Sequence, residues 1–116
     1  MSVQEALDYK ETGYASWYGG TKRRLRTSSG EHINPRTSLT AAHKTLPMPC
    51  KVKVTCLKTG KSVIVRVNNR GPFHSNRLID LPPAAAHRIN LKGRGIGKVR
   101  LEVVSVGDGK YEIFAR

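Results

Sequence analysis

The strongest constraint on what this chain can fold into is a pair of alternating β-branched runs joined by a turn. Val52-Lys53-Val54-Thr55 and Ser62-Val63-Ile64-Val65-Arg66-Val67 flank Lys58-Thr59-Gly60-Lys61. Alternation with Val and Ile at the recurring position is what a half-buried strand requires, and the glycine-bearing tetrapeptide supplies the reversal. The same reading gives a strand over residues 99–104, another over 111–114 after Gly107-Asp108-Gly109, and an early one over 13–18. Short strands punctuated by turn residues place the chain among small barrels and sandwiches. Its 116 residues suffice for one domain with one modest core.

One segment breaks the β pattern. Pro82-Pro83-Ala84-Ala85-Ala86-His87-Arg88-Ile89 has proline in its first turn, alanine inside and basic residues at its end, the polarity of a short helix. Residues 21–34 and 90–97 are polar and glycine-bearing and read as loops. Within the second, Gly93-Arg94-Gly95-Ile96-Gly97 fits neither nucleotide-loop spacing and is read as a turn into the last barrel strand. Cys50 and Cys56 stand six positions apart. That is roughly 20 Å of extended chain, against the ~7 Å that a disulfide allows between Cα atoms, so free, half-buried thiols are expected. No apolar run approaches the roughly 20 residues that cross a bilayer. Residues 1–10 have neither the basic start nor the apolar segment of a secretory leader, which leaves a cytosolic protein or one whose leader has been removed.

The chain carries 21 Lys and Arg against 8 Asp and Glu, a formal charge of +13. Such a field favours polyanionic partners: nucleic acid, anionic lipid or an acidic polysaccharide. No nucleic-acid motif accompanies the charge, and aromatic residues at 6% give little surface for base stacking, so nucleic acid is not the expected partner. His32, His43, His74 and His87 are scattered and reach the cysteines at no ligand spacing, so neither a metal nor another cofactor is expected. No nucleophile elbow is present, and the cysteines lack the context of a nucleophile.

Four stretches together carry a resemblance: Gly13-Tyr14-Ala15-Ser16-Trp17-Tyr18-Gly19, Leu39-Thr40-Ala41-Ala42-His43-Lys44-Thr45-Leu46-Pro47, Val65-Arg66-Val67-Asn68-Asn69-Arg70-Gly71-Pro72-Phe73, and Arg77-Leu78-Ile79-Asp80-Leu81 with the alanine helix. In this order and spacing they resemble the rare lipoprotein A family of bacterial cell-wall proteins. The resemblance implies a mainly β fold, a six-stranded double-psi β-barrel with one or two short helices, over residues 13–116 after an N-terminal extension of residues 1–12. It implies lytic transglycosylation of peptidoglycan glycan strands that lack stem peptides, leaving anhydro-muramoyl ends. A place in the periplasm or cell envelope, lipid anchoring of the full-length protein, and a monomer follow as expectations.

The resemblance also nominates site residues. The family pattern reads Asn-Asp-Arg-Gly-Pro-Phe in the third stretch, with the aspartate as acid and base and the histidine of the second stretch as its partner. His43 is in place, but the aspartate position holds Asn69, and an amide exchanges no proton near neutral pH. Asp80 or Glu31 is then the substitute carboxylate, or His43, with an ordinary pKa of about 6.5, works alone. Asp80 has a bland reading too, as the cap of the alanine helix. Trp17 and Tyr18 alternate on a strand, one facing the core and the other available to stack on a sugar. Arg66 and Arg70 suit a bidentate grip on a carboxylate, within the protein or on muramic acid. Thr40 and Phe73, inside the matching stretches, complete the expected substrate contacts. The competing function is a glycan-binding domain without catalysis, comparable in role to expansins.

Overall fold

The computed structural model describes residues 1–17, 25–26, 32–33, 39–73, 76–91, 96–107 and 111–115. Strands β1 (Lys10–Trp17), β4 (Thr40–His43), β5 (Cys50–Cys56), β6 (Ser62–Asn69), β7 (Arg77–Leu81) and β8 (Ile96–Val106) hydrogen-bond in the order β1-β7-β4-β6-β5-β8, and a β1–β8 pairing closes the ring. Two of those pairings, β1 with β7 and β4 with β6, are parallel, and the others are antiparallel. This is the six-stranded double-psi barrel that the resemblance implied. Closure removes the free sheet edges that an open sheet of this size would expose.

The alternation seen in the sequence is realised side chain by side chain. Val63, Val65 and Val67 of β6, Val52 and Val54 of β5, and Val99, Leu101 and Val103 of β8 enter the barrel, with Ala15, Ala41, Ile79 and Leu81 from the remaining strands. Cys50 and Cys56 are free thiols, as expected, but buried rather than half-buried, because both fall on the inward phase of β5. The expected helix is α2 (Pro83–Arg88). It ends in a Schellman arrangement: Leu91 N–H bonds to the Ala86 carbonyl at 2.9 Å and Asn90 N–H to the His87 carbonyl at 3.2 Å, with Asn90 at φ 56° in the left-handed position that asparagine tolerates. Its N-cap is Pro82 without a side-chain cap, so Asp80 is not the helix cap.

Elsewhere the loops and termini differ from expectation. Within 21–34, read as loop, Leu25–Arg26 (β2) and His32–Ile33 (β3) form a short antiparallel ladder. The second loop closes early, since β8 begins at Ile96, and residues 92–95 lie outside the described part. The last strand, β9, is confined to Ile113–Phe114 and pairs with the end of β8. Residues 1–12 hold a helix, α1 (Val3–Leu7), and the start of β1. Ser2 and Glu5 form a capping box on that helix, and Ala6 is fully buried in the barrel core. Among the described residues no helix is long and apolar enough to cross a membrane.

Candidate functional site

The outer face of β1, β7, β4 and β6 gathers four of the nominated residues, Asn69, Asp80, Thr40 and Arg66, and register explains why. Ala42 pairs with Asp80 on one side and with Asn69 on the other, and Asp80 pairs with Ser16. Laterally paired residues project to one face of a sheet, so Asn69, Ala42, Asp80 and Ser16 form a row across these strands. Strand spacing of about 4.8 Å puts the backbones of Asn69 and Asp80 roughly 10 Å apart, with only the methyl group of Ala42 between them. Thr40 and Arg66, also paired, lie on the same face one step along.

Asn69 reaches this face through a bulge. Ala41 pairs with Val67 and Ala42 with Asn69, leaving Asn68 as the extra residue. In regular alternation Asn69 would follow Val67 into the barrel, and the inserted residue turns it outward. Its Oδ1 then accepts the Arg70 backbone N–H at 2.9 Å. The chain turns sharply at Gly71, whose φ of 131° is open to glycine and strained for other residues. Beyond the corner Phe73 projects into solvent, 81% exposed. Asp80 is half-buried, and its Oδ1 accepts the Ser16 hydroxyl at 2.9 Å.

His43 follows Ala42 at the end of β4 but has the opposite phase, and the residue is only 3% exposed. Its Nδ1 accepts the backbone N–H groups of Thr45 and Leu46, both at 3.1 Å. The proton of the neutral ring therefore sits on Nε2, which donates to the Tyr9 hydroxyl at 3.1 Å. That hydroxyl in turn donates to Glu11 Oε2 at 2.7 Å. Burial, with Arg70 and Lys44 adding to it against the opposing pull of Glu11, lowers the His43 pKa to about 4. With both nitrogens engaged and its pKa lowered to about 4, the ring is neutral at physiological pH. Burial and the Glu11 carboxylate raise the Tyr9 phenol above its ordinary range.

Arg70 ties the histidine segment to the Arg-Gly-Pro corner. Its Nη1 donates to the Leu46 carbonyl at 2.6 Å and to the His43 carbonyl at 3.4 Å, so this guanidinium grips backbone rather than only a carboxylate. Trp17, at the end of β1, is half-buried against the core. Its Nε1, like the Thr40 hydroxyl, is buried without a hydrogen-bond partner among the described residues. Tyr18 and Glu31 lie outside the described residues. Sequence reasoning missed Ser16, Tyr9 and Glu11 as partners of the nominated groups. Ser16 sits inside a quoted motif, whereas nothing local marks Tyr9 or Glu11.

Beside His43 lies an open depression of about 430 Å³, bounded by Tyr9, Glu11, Lys44, Arg77 and Leu78 among others. A larger hollow of about 790 Å³ lies between α1 and β9 and contains none of the nominated residues. No cluster of metal-ligating side chains occurs among the described residues.

Residues 10–101 match the family model described as lytic transglycolase. Curated relatives include proteins named endolytic peptidoglycan transglycosylase RlpA. That of Neisseria meningitidis serogroup A is 48% identical over 89% of this chain and 43% of its own length. That of Rickettsia typhi is 55% identical over 81% and 30%, and that of Vibrio cholerae 53% over 90% and 39%. The chain thus spans less than half the length of these relatives. Among solved structures, a Streptomyces papain inhibitor superposes with TM-score 0.65 at 20% identity, over 82% of this chain and 94% of that one. An apo expansin of Clavibacter michiganensis gives TM-score 0.65 at 17% identity, over 87% and 53%. At these identities the two structures show a shared fold.

Proposed function

The chain belongs to the lytic transglycolase family, and on that footing we propose that its barrel binds peptidoglycan glycan strands across the face of β1, β7, β4 and β6 and cleaves them slowly, with Asp80 as the proton carrier. The observation that carries this reading is the row Ser16, Asp80, Ala42, Asn69. Its floor is a small side chain, it holds a carboxylate at its centre, and the corner bearing Arg70 stands beside it.

Lytic transglycosylation needs a proton on the glycosidic oxygen as the bond to C1 of N-acetylmuramic acid breaks. It also needs a base for the 6-hydroxyl of the same sugar as that oxygen closes onto C1. One carboxyl group gives its proton in the first event and takes one back in the second, so no water enters and the catalyst is restored. Asp80 has the chemistry for both, and Ser16 fixes one of its oxygens. His43, neutral and held by Thr45, Leu46 and Tyr9, acts by shaping the adjacent turn rather than by moving protons. Thr40, Arg66, Arg70, Trp17 and Phe73 supply sugar contacts, with Tyr18 and Glu31 as further contacts from the flanking segments. The working place is the cell envelope on the periplasmic side, reached in the full-length protein by a lipid anchor, and the acting unit is a monomer.

The amide at Asn69 also favours a second reading, a domain that binds glycan without cutting it. Incubation with peptide-free glycan strands and mass spectrometry of the products separates the two. Slow release of anhydro-muramoyl ends, abolished in Asp80→Asn and accelerated in Asn69→Asp, supports the enzyme. Intact strands with both the parent and Asn69→Asp, despite measurable binding, leave the binding domain.

A further inference from the structure

We propose that the depression beside His43 is a subsite for a second, carboxylate-bearing sugar of the bound strand, gripped by Lys44 and Arg77; this rests on the peptidoglycan reading above. Lys44 is exposed and Arg77 half-buried, both face the depression, and neither forms an ion pair among the described residues. Elsewhere the barrel's cations are partly neutralised, as in Lys51 with Glu112 at 2.9 Å and Arg100 with Glu102 at 3.2 Å. Two cations without an ion-pair partner among the described residues, at the rim of a concave site, are suited to an anion, and Arg77 can hold both oxygens of a carboxylate at once.

The remaining walls fit a pyranose. Tyr9 and Leu78 are half-buried and give an apolar surface of the kind on which a sugar ring packs. Among the described residues Glu11 is the one acidic group facing the depression. It already accepts from Tyr9, and its second oxygen is suited to the N–H of an acetamido substituent. N-acetylmuramic acid offers these features together: a ring face, an acetamido N–H and a lactyl carboxylate.

Spacing supplies the link to the row of Ser16, Asp80, Ala42 and Asn69. Arg77 lies three residues before Asp80 on β7, but it pairs with Tyr14 and Asp80 with Ser16 across a bulge, so the two share a face about 7 Å apart along the strand, and the extended arginine side chain covers the rest of one disaccharide. In peptidoglycan the acidic sugar recurs once per disaccharide. A strand with one muramic acid beside Asp80 therefore carries the next acidic group to the depression.

Titration calorimetry with two forms of one glycan tests this: peptide-free strands with free lactyl carboxylates, and the same strands with those carboxylates converted to methylamides. The parent protein is expected to bind the acidic form about tenfold more tightly, the scale of a charge-assisted pair. In the double variant Lys44→Gln, Arg77→Gln that ratio collapses toward unity while affinity for the amide form is kept, which also reports an intact fold. The control Lys58→Gln, Lys61→Gln removes the same charge from the exposed hairpin and keeps the ratio. A ratio that survives in the first variant, or falls equally in the control, overturns the subsite and leaves only the general positive field. Binding of both forms with no preference in the parent also overturns it but spares the peptidoglycan reading, whereas binding of neither form refutes both.

Discussion

Replacing Arg70 by Met tests whether the joint between the histidine segment and the Arg-Gly-Pro corner is held as described. Methionine keeps an unbranched apolar stem and removes every donor. Lost with them is a short charge-assisted bond of 2.6 Å to the Leu46 carbonyl, while the 3.4 Å contact to the His43 carbonyl is too long to weigh much. Leu46 is fully buried, so its carbonyl has no water to turn to. A net hydrogen bond to a charged group contributes about 1.5–3 kcal/mol, and an orphaned buried acceptor adds to the loss, giving about 2–4 kcal/mol in all. A chain of 116 residues has an unfolding entropy of about 0.24 kcal/mol/K, so each kcal/mol moves Tm by about 4 °C. The expected fall is about 8–16 °C by calorimetry, within the ~6–17 kcal/mol of stability such a domain commands. Arg70→Lys, which can place one ammonium donor on the same carbonyl, should recover about half. A fall below about 4 °C in Arg70→Met would refute the clamp, because the Leu46 carbonyl would then have another partner in solution.

Two further outcomes follow from the same geometry. His43 is held neutral by burial with its pKa lowered to about 4, whereas the unfolded ring titrates near ~6.5; the unfolded chain gains its proton first as pH falls, so stability present above pH ~6.5 is lost between ~6.5 and ~4, up to about 3 kcal/mol. Urea midpoints of the parent and His43→Gln should therefore converge between pH 7.5 and 5, and a gap that stays constant would show that the ring does not carry this linkage. Gly107 and Gly60 both have positive φ, 95° and 74°, but a methyl group on Gly107 would run into the Tyr111 carbonyl while one on Gly60 meets open space. Gly60→Ala should cost about 1–2 kcal/mol and Gly107→Ala clearly more in chemical denaturation, and equal losses would contradict the packing of β9 against β8.

What the sequence made legible follows from where the information is local. β5, β6 and β8 could be read because Val and Ile recur with period 2 along one segment, and α2 because proline, alanine and basic residues fall in helical order. Thr-Ala-Ala-His of β4 carries no such mark, since alanine has no preference for strands and the segment is defined by its neighbours on both sides. α1 did leave a signal, Ser2 and Glu5 at capping-box spacing, but five residues are too few to show periodicity. The site is less local still. Ser16 meets Asp80 across 64 positions and Tyr9 meets His43 across 34, and the face on which Asn69 emerges depends on a bulge against β4 that alternation alone would assign the other way.

That bulge also decides what an exchange at Asn69 would measure. The side-chain oxygen of Asn69 closes a hydrogen bond to the next backbone N–H at 2.9 Å, a duty that a carboxylate oxygen performs at least as well, since an ionised acceptor shortens and strengthens such a bond. Residues of both types tolerate the irregular backbone before Arg70-Gly71-Pro72. Asn69→Asp is therefore close to neutral for the corner while changing its chemistry completely, from a group that exchanges no proton to one that does. Any gain in turnover from that substitution reads the acid/base role of the position and not a repair of the fold. Ala42 stands between this position and Asp80 and presents only a methyl group there. With two carboxylates roughly 10 Å apart along that row, proton transfer could then be divided between them, so Asp80→Asn should cost less activity in the Asn69→Asp background than in the parent.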